Sequence, residues 1–150
     1  MMRKLHINVL ASTALLLISG VVHALEYRSV VETGTLFYAA PNNAATKLFV
    51  VSKFYPVEVI AREGEWSRVR DVAGQIAWVN SDQLSSKRYV LVLGSKVAVR
   101  AKDSATAEVL ATVEKNVALE LLAEPTSAWV KVRVDAKTSG YVRLQDVWGI

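Results

Sequence analysis

The chain has no cysteine, and its two histidines, His6 and His23, both lie within the first 24 residues. Those residues read as a secretory signal. Arg3 and Lys4 form a positive start, Val9 to Val22 an almost wholly apolar core, and Val22-His23-Ala24 a small-x-small cleavage pattern. A chain cut after Ala24 has neither a thiol nor an imidazole. Cysteine hydrolases, Ser-His-Asp triads and ordinary zinc sites each need one of those groups, so all three are excluded. The lack of cysteine also rules out the disulfides on which small exported domains often lean, and with them a lipid anchor. Long hydrophobic runs are missing too. Val9 to Val22, interrupted by Ser12, Thr13, Ser19 and Gly20, falls short of the roughly 20 residues needed to span a bilayer. No stable membrane anchor is expected after cleavage, and the chain is expected to be exported to the periplasm, or secreted where the source lacks an outer membrane.

A strong excess of one charge is also absent. The whole chain carries 18 basic and 14 acidic residues. Removing residues 1–24 takes away Arg3 and Lys4 and no acid, leaving 16 − 14 = +2. Residues 26–85 come to 6 − 7 = −1 and residues 86–150 to 10 − 7 = +3. Nucleic-acid binding calls for a concentrated basic face, so no nucleic-acid partner is expected; a weak preference for anionic polymers or a membrane surface stays open.

What is present is a repeat. Residues 63–79, Glu-Gly-Glu-Trp-Ser-Arg-Val-Arg-Asp-Val-Ala-Gly-Gln-Ile-Ala-Trp-Val, read as turn, strand, turn, strand, with a tryptophan opening each strand. Trp66, Val69, Arg70, Trp78 and Val79 recur 63 positions later as Trp129, Val132, Arg133, Tyr141 and Val142. Upstream the offset is 62, as in Leu48 to Leu110, Val57 to Leu119 and Ile60 to Leu122. The extra residue falls in a turn at Pro125, where two copies of one fold tolerate it. Elsewhere short apolar runs rich in Val, Tyr and Trp are broken by turn residues every eight to twelve positions, with no helical periodicity, as in small all-β sandwiches and barrels. The reading is all-β, with two tandem small β-barrels after a signal peptide: 1–24 signal, 25–85 first barrel, 86–150 second barrel. Tyr89 to Leu93 is apolar on both alternating faces, so one face should be covered by the other repeat.

These residues resemble the bacterial SH3-like domain. In that family a strand like Val97-Ala98-Val99-Arg100 leads into a polar loop and an apolar strand. A Trp-x-x-Val strand, Gly-aromatic-Val and a short helical turn then follow. Repeat two carries the whole pattern in Trp129-Val130-Lys131-Val132, Gly140-Tyr141-Val142 and Leu144-Gln145-Asp146-Val147. Repeat one departs from it, with Leu36-Phe37-Tyr38-Ala39-Ala40-Pro41 for the usual Val-Arg and Ala77 for glycine before Trp78. The form is similar to small exported tandem SH3-like proteins of proteobacteria. The resemblance implies attachment to peptidoglycan or to a peptide, with no cofactor.

Strand alternation puts Val130, Val132 and Val134 on the core face and Trp129, Lys131 and Arg133 outside. By the same logic Val69 points in and Trp66, Arg68 and Arg70 point out. A tryptophan flanked by bases can stack on a sugar or proline ring while the bases meet carboxylates; the alternative is a lid folded over the barrel mouth. Tyr38, Phe54, Tyr55, Pro41 and Trp78 add aromatic and apolar surface near the first loop. Phe54 and Tyr55, as neighbours, cannot both point inward. Tyr141 stands where Trp78 does in the first copy. Trp148 is read as sealing the second barrel or the seam between barrels. Glu63, Glu65, Asp71 and Asp82 lie among Arg62, Arg68 and Arg70 and are read as a solvated charge face, so no catalytic or metal-binding residue is assigned. The leading expectation is a monomeric, non-enzymatic envelope-binding module whose partner is peptidoglycan or an envelope protein or peptide. A structural adaptor with its aromatics inside is the second, and a hydrolase a distant third.

Overall fold

The computed structural model describes residues 24–125 and 127–150. The expected signal lies outside these residues except for Ala24. Among the described residues no helix is long and apolar enough to cross a membrane.

Seven strands make up the first sheet: β1 (Glu26–Val30), β2 (Thr35–Tyr38), β3 (Lys47–Val51), β4 (Pro56–Glu63), β5 (Trp66–Arg70), β6 (Ile76–Asn80) and β7 (Leu84–Ser85). The second sheet holds β8 (Tyr89–Val92), β9 (Lys96–Arg100), β10 (Val109–Glu114), β11 (Ala118–Leu121), β12 (Trp129–Arg133), β13 (Ser139–Arg143) and β14 (Val147–Trp148). The orders are β3-β2-β6-β5-β4-β1-β7 and β10-β9-β13-β12-β11-β8-β14. Adding seven to every label of the first yields the second, so the sequence repeat is a repeat of topology. All pairings are antiparallel, and a short 3-10 turn, Ser81–Gln83 or Leu144–Asp146, precedes the last strand of each sheet. The protein is all-β, two SH3-like units in tandem.

Alternation sets the two cores. Val30, Phe37, Val57, Val59, Val69, Ala77 and Val79 are buried in the first, and Val90, Val92, Val99, Leu119, Val130, Val132 and Val142 in the second. Each fully buried side chain contributes about 1.5–3 kcal/mol. β12 shows the rule: Val130 and Val132 are inside, Lys131 and Arg133 exposed, Trp129 half-buried. In the first sheet Ser67 takes the inward place of Val130 and satisfies its hydroxyl against Ser81 Oγ at 2.8 Å. Trp78 does not open its strand as the spacing suggested. Ile76 pairs with Arg70 and extends β6 backwards, leaving Trp78 at its centre.

The two units meet over a buried seam. Tyr89 stacks on Phe54 of the first unit with ring centroids 4.2 Å apart and planes 16° from parallel, and its amide donates to Ser29 Oγ at 3.1 Å. These contacts cover the second apolar face of β8. Trp148 meets Tyr27 edge-on at 5.3 Å, so it seals the seam. Arg88 lies over the Tyr27 ring and donates through Nη2 to Gly149 O at 2.8 Å. Burial pushes the Tyr27 phenol up, with the nearby Glu58 carboxylate acting in the same direction.

Candidate functional site

Three neighbouring strands present the outward residues of each unit. In the first sheet Tyr38 lies opposite Trp78 and Trp78 opposite Arg68, giving a row across β2, β6 and β5; Asn80 opposite Trp66 forms the next row. Tyr38 and Trp66 touch edge to face, centroids 5.4 Å apart. Together with Leu36, Asn43, Asn80 and Asp82 they line a groove of about 300 Å³. In the second sheet Arg100, Tyr141 and Lys131 form the equivalent row, and Arg143 lies opposite Trp129. The groove beside Trp129 is about 580 Å³ and is lined by Asp103, Ser104, Arg143 and Gln145 among others. Both grooves lie between the tryptophan of the fifth strand in each unit and the polar loop that follows the second.

The predicted residues divide into two groups. Tyr38, Trp66, Trp78 and Arg68 gather on the outer face of the first sheet, and Trp129, Lys131 and Tyr141 on that of the second. All three tryptophans are half-buried. Arg143 sits over the Trp129 ring at 5.5 Å and Lys131 near the Tyr141 ring at 6.0 Å, as cation–π contacts require.

Tyr55 does not join them. Phe54 takes a left-handed backbone conformation, φ +72°, which aims it at Tyr89, and Tyr55 packs on the first core instead. Burial raises the Tyr55 phenol, and the Asp71 carboxylate adds to this. Arg70 and Arg133 are outward but engaged. Arg70 Nε and Nη2 each bond to the buried Glu58 carboxylate at 2.9 Å, and Arg133 Nη1 lies 3.2 Å from Glu120 Oε2. Reading the strands singly missed these partners, although Glu58 and Glu120 repeat at the same offset of 62 as the other upstream residues. Arg100 and Arg143 were missed as well; their signal was the cross-strand register that sets them beside Tyr141 and Trp129.

The carboxylates read as a solvated face do not all face solvent: Asp71 is 7% exposed, while Glu65 and Asp82 border one surface hollow. Asp71 caps its own turn, accepting from the amides of Ala73 and Gln75 at 2.9 and 2.8 Å. Among the described residues no three His, Cys, Asp or Glu side chains gather as a metal site.

The family model described as the bacterial SH3 domain matches residues 35–85. That is the copy whose sequence departs more from the pattern read above. No curated protein matches the chain. Solved structures similar to it include NlpC2 of Trichomonas vaginalis, 13% identical over 83% of this chain and 48% of that one, with a TM-score of 0.36. NlpC1 of the same organism is 15% identical over 86% and 47%, TM-score 0.36, and an NlpC/P60 family protein of Bacillus cereus 16% over 82% and 56%, TM-score 0.34. The chain spans about half the length of these proteins. The matched residues 35–85 lie in the first sheet, and the second sheet repeats that sheet's strand order.

Proposed function

We propose that the protein is an exported, non-enzymatic module that binds a cell-envelope ligand, peptidoglycan or a peptide, through the outer faces of its two SH3-like units. The observation that carries this reading is the recurrence of one groove, beside Trp66 and again beside Trp129, at the same place in both units. Two weak sites on one chain suit a repeating polymer, because the second contact forms at high effective concentration. The non-enzymatic part rests on the lack of cysteine and histidine beyond residue 23. The periplasmic location rests on the signal read in residues 1–24.

The test is co-sedimentation of the purified chain with insoluble peptidoglycan at modest salt. Pelleting that drops in Trp66→Ala and in Trp129→Ala supports the reading; a chain that stays in the supernatant overturns it for peptidoglycan. Clearing of labelled peptidoglycan by the purified chain would overturn the non-enzymatic part. A second reading, an adaptor for another envelope protein, draws on the apolar Leu48 and Val50 of the edge strand β3, 46% and 60% exposed. Affinity capture from an envelope extract separates it from polymer binding.

A further inference from the structure

The two outer faces are built on one plan and differ in chemistry. Going from the first unit to the second, Tyr38 becomes Arg100, Asn80 becomes Arg143, Leu36 becomes Ala98, Val50 becomes Thr112 and Ile76 becomes Ser139. Arg68 and Lys131 keep a base at the third position. Lys47, opposite Tyr38, gives way to Val109, opposite Arg100. Among the described residues the first face therefore carries two bases outside any ion pair, Lys47 and Arg68, and the second carries three, Arg100, Lys131 and Arg143.

From this we infer that the outer face of the second sheet is a binding site for an acidic glycan, a polymer of sugar rings bearing carboxylates. This rests on the proposed function only in taking the outer faces as the binding surfaces.

The geometry fits that ligand in three respects. Arg100, Tyr141 and Lys131 lie directly opposite one another on three adjacent strands, so the two bases flank the ring at a separation of two strand spacings, about 10 Å. Arg143 and Trp129 repeat the base-and-ring pairing in the next row. A sugar ring stacks on an aromatic face while its carboxylate meets the neighbouring base. The bases are also free for the task. Among the described residues Arg100, Lys131 and Arg143 form no ion pair; Arg100 donates only to the Ala107 carbonyl, at 2.7 Å, while Arg133 is held by Glu120. The acid nearest in kind is Asp103, across the groove from Trp129, and one carboxylate leaves the face net positive. An anionic membrane would meet the same bases and the exposed Val109 and Leu110 of the edge strand β10, so anionic vesicles form one arm of the test.

The test is calorimetric titration of the exported chain with oligogalacturonate. Parallel titrations use an uncharged maltooligosaccharide, phosphatidylglycerol vesicles and a single-stranded DNA oligomer. Oligogalacturonate should bind and weaken about tenfold between roughly 50 and 300 mM salt, while the uncharged sugar should not bind. Lys131→Gln with Arg143→Gln should lower the affinity at least about tenfold. Adding Arg100→Gln should lower it further, and Arg68→Gln in the first sheet should leave it within about twofold. These positions point outward, and urea denaturation confirms that each variant folds. Equal binding of the uncharged sugar, preference for the vesicles or the DNA, or a folded triple variant with unchanged affinity overturns the inference. Loss of peptidoglycan pelleting with oligogalacturonate binding intact would count against the proposed function alone.

Discussion

Phe54 tests how the two units hold together. Its φ of +72° lies in the left-handed region, which costs a non-glycine residue roughly 1–2 kcal/mol. Its counterpart in the second unit is Asn116, at φ +67°, a residue that tolerates this conformation far better. Both positions close the same turn, Phe54 N–H donating to Val30 O and Asn116 N–H to Val92 O, each at 2.8 Å. The backbone therefore asks for asparagine, and the phenylalanine stands there for its ring. Phe54 is 37% exposed, so about 130 Å² of the roughly 200 Å² of such a side chain is hidden. At 25 cal/mol per Å² that is about 3 kcal/mol as an upper value. Phe54→Asn should recover about 1 kcal/mol of strain and lose the burial, for a net loss of about 2 kcal/mol. Urea denaturation of the full chain measures it, and a cycle with Tyr89→Leu isolates the stack, for which a coupling of about 1 kcal/mol is expected. A Phe54→Asn chain as stable as the parent, or a coupling within about 0.3 kcal/mol of zero, would refute the claim that the stack offsets the strain.

Three further outcomes follow from named contacts. A methyl group added at Gly140 would overlap the Arg100 carbonyl oxygen and lie 2.9 Å from Val99 Cγ1, so Gly140→Ala should destabilise by about 1–3 kcal/mol; calorimetric melting reads the loss, and an unchanged Tm would show that β9 yields freely. Glu58 is 7% exposed and holds Arg70 through two bonds, whereas the more open Glu120 makes one to Arg133. Glu58→Ala should therefore cost about 1–3 kcal/mol and more than Glu120→Ala in the same urea assay; the reverse order would contradict the geometry. The Arg62 guanidinium, bonded to Glu26 at 2.8 and 2.6 Å, holds that carboxyl below the usual glutamate range. A depressed carboxyl stabilises the fold above its unfolded pKa, and the contribution is lost as pH falls through the lower folded value. Because Glu26 and Arg62 are 33% and 50% exposed, only a few tenths of a kcal/mol should go. Arg62→Met should flatten the acid limb of the urea midpoint by that amount at low salt, and an unaltered limb would mean that the pair is fully screened.

The strands were legible because burial follows a period of two and the repeat supplied every segment twice. Trp129, Lys131 and Arg133 are outward for the same reason that Val130 and Val132 are inward. The seam was legible in the second apolar face of Tyr89 to Leu93 and in one of the two places read for Trp148. That Phe54 would supply the cover depends on a left-handed backbone at a bulky residue, which local preference argues against. The same turn misplaced Tyr55, since one of two adjacent aromatics had to face out and nothing local says which. β1 begins at Glu26, where Glu26 to Ser29 pair with β4 through backbone groups that no apolar run announces. For Arg70 and Arg133 the outward direction was right. The free base was not, because a strand read alone does not show the carboxylate on the strand beside it.

Comparing the two units position by position separates what the fold needs from what it leaves free. Most inward pairs keep their character: Val30 with Val92, Val57 with Leu119, Val69 with Val132 and Val79 with Val142 are all nearly or fully buried, and the exceptions, Ser67 for Val130 and Phe37 for Val99, are as deeply buried as their counterparts. A large-to-small change at such a site costs about 2–5 kcal/mol, so two copies of one sheet have little room to differ there. Outward positions cost within about 0.5 kcal/mol of zero and can drift in any direction. Drift alone would scatter the differences among charges of both signs and among gains and losses of bulk. Here Leu36, Val50 and Ile76 give way to smaller or polar residues and Tyr38 and Asn80 to arginine, while Lys47 on the same face gives way to the apolar Val109. What the two outer faces keep in common, a tryptophan at 66 and 129, an aromatic at 78 and 141 and a base at 68 and 131, is likewise not dictated by stability, and it is the part of the surface on which the proposed function rests.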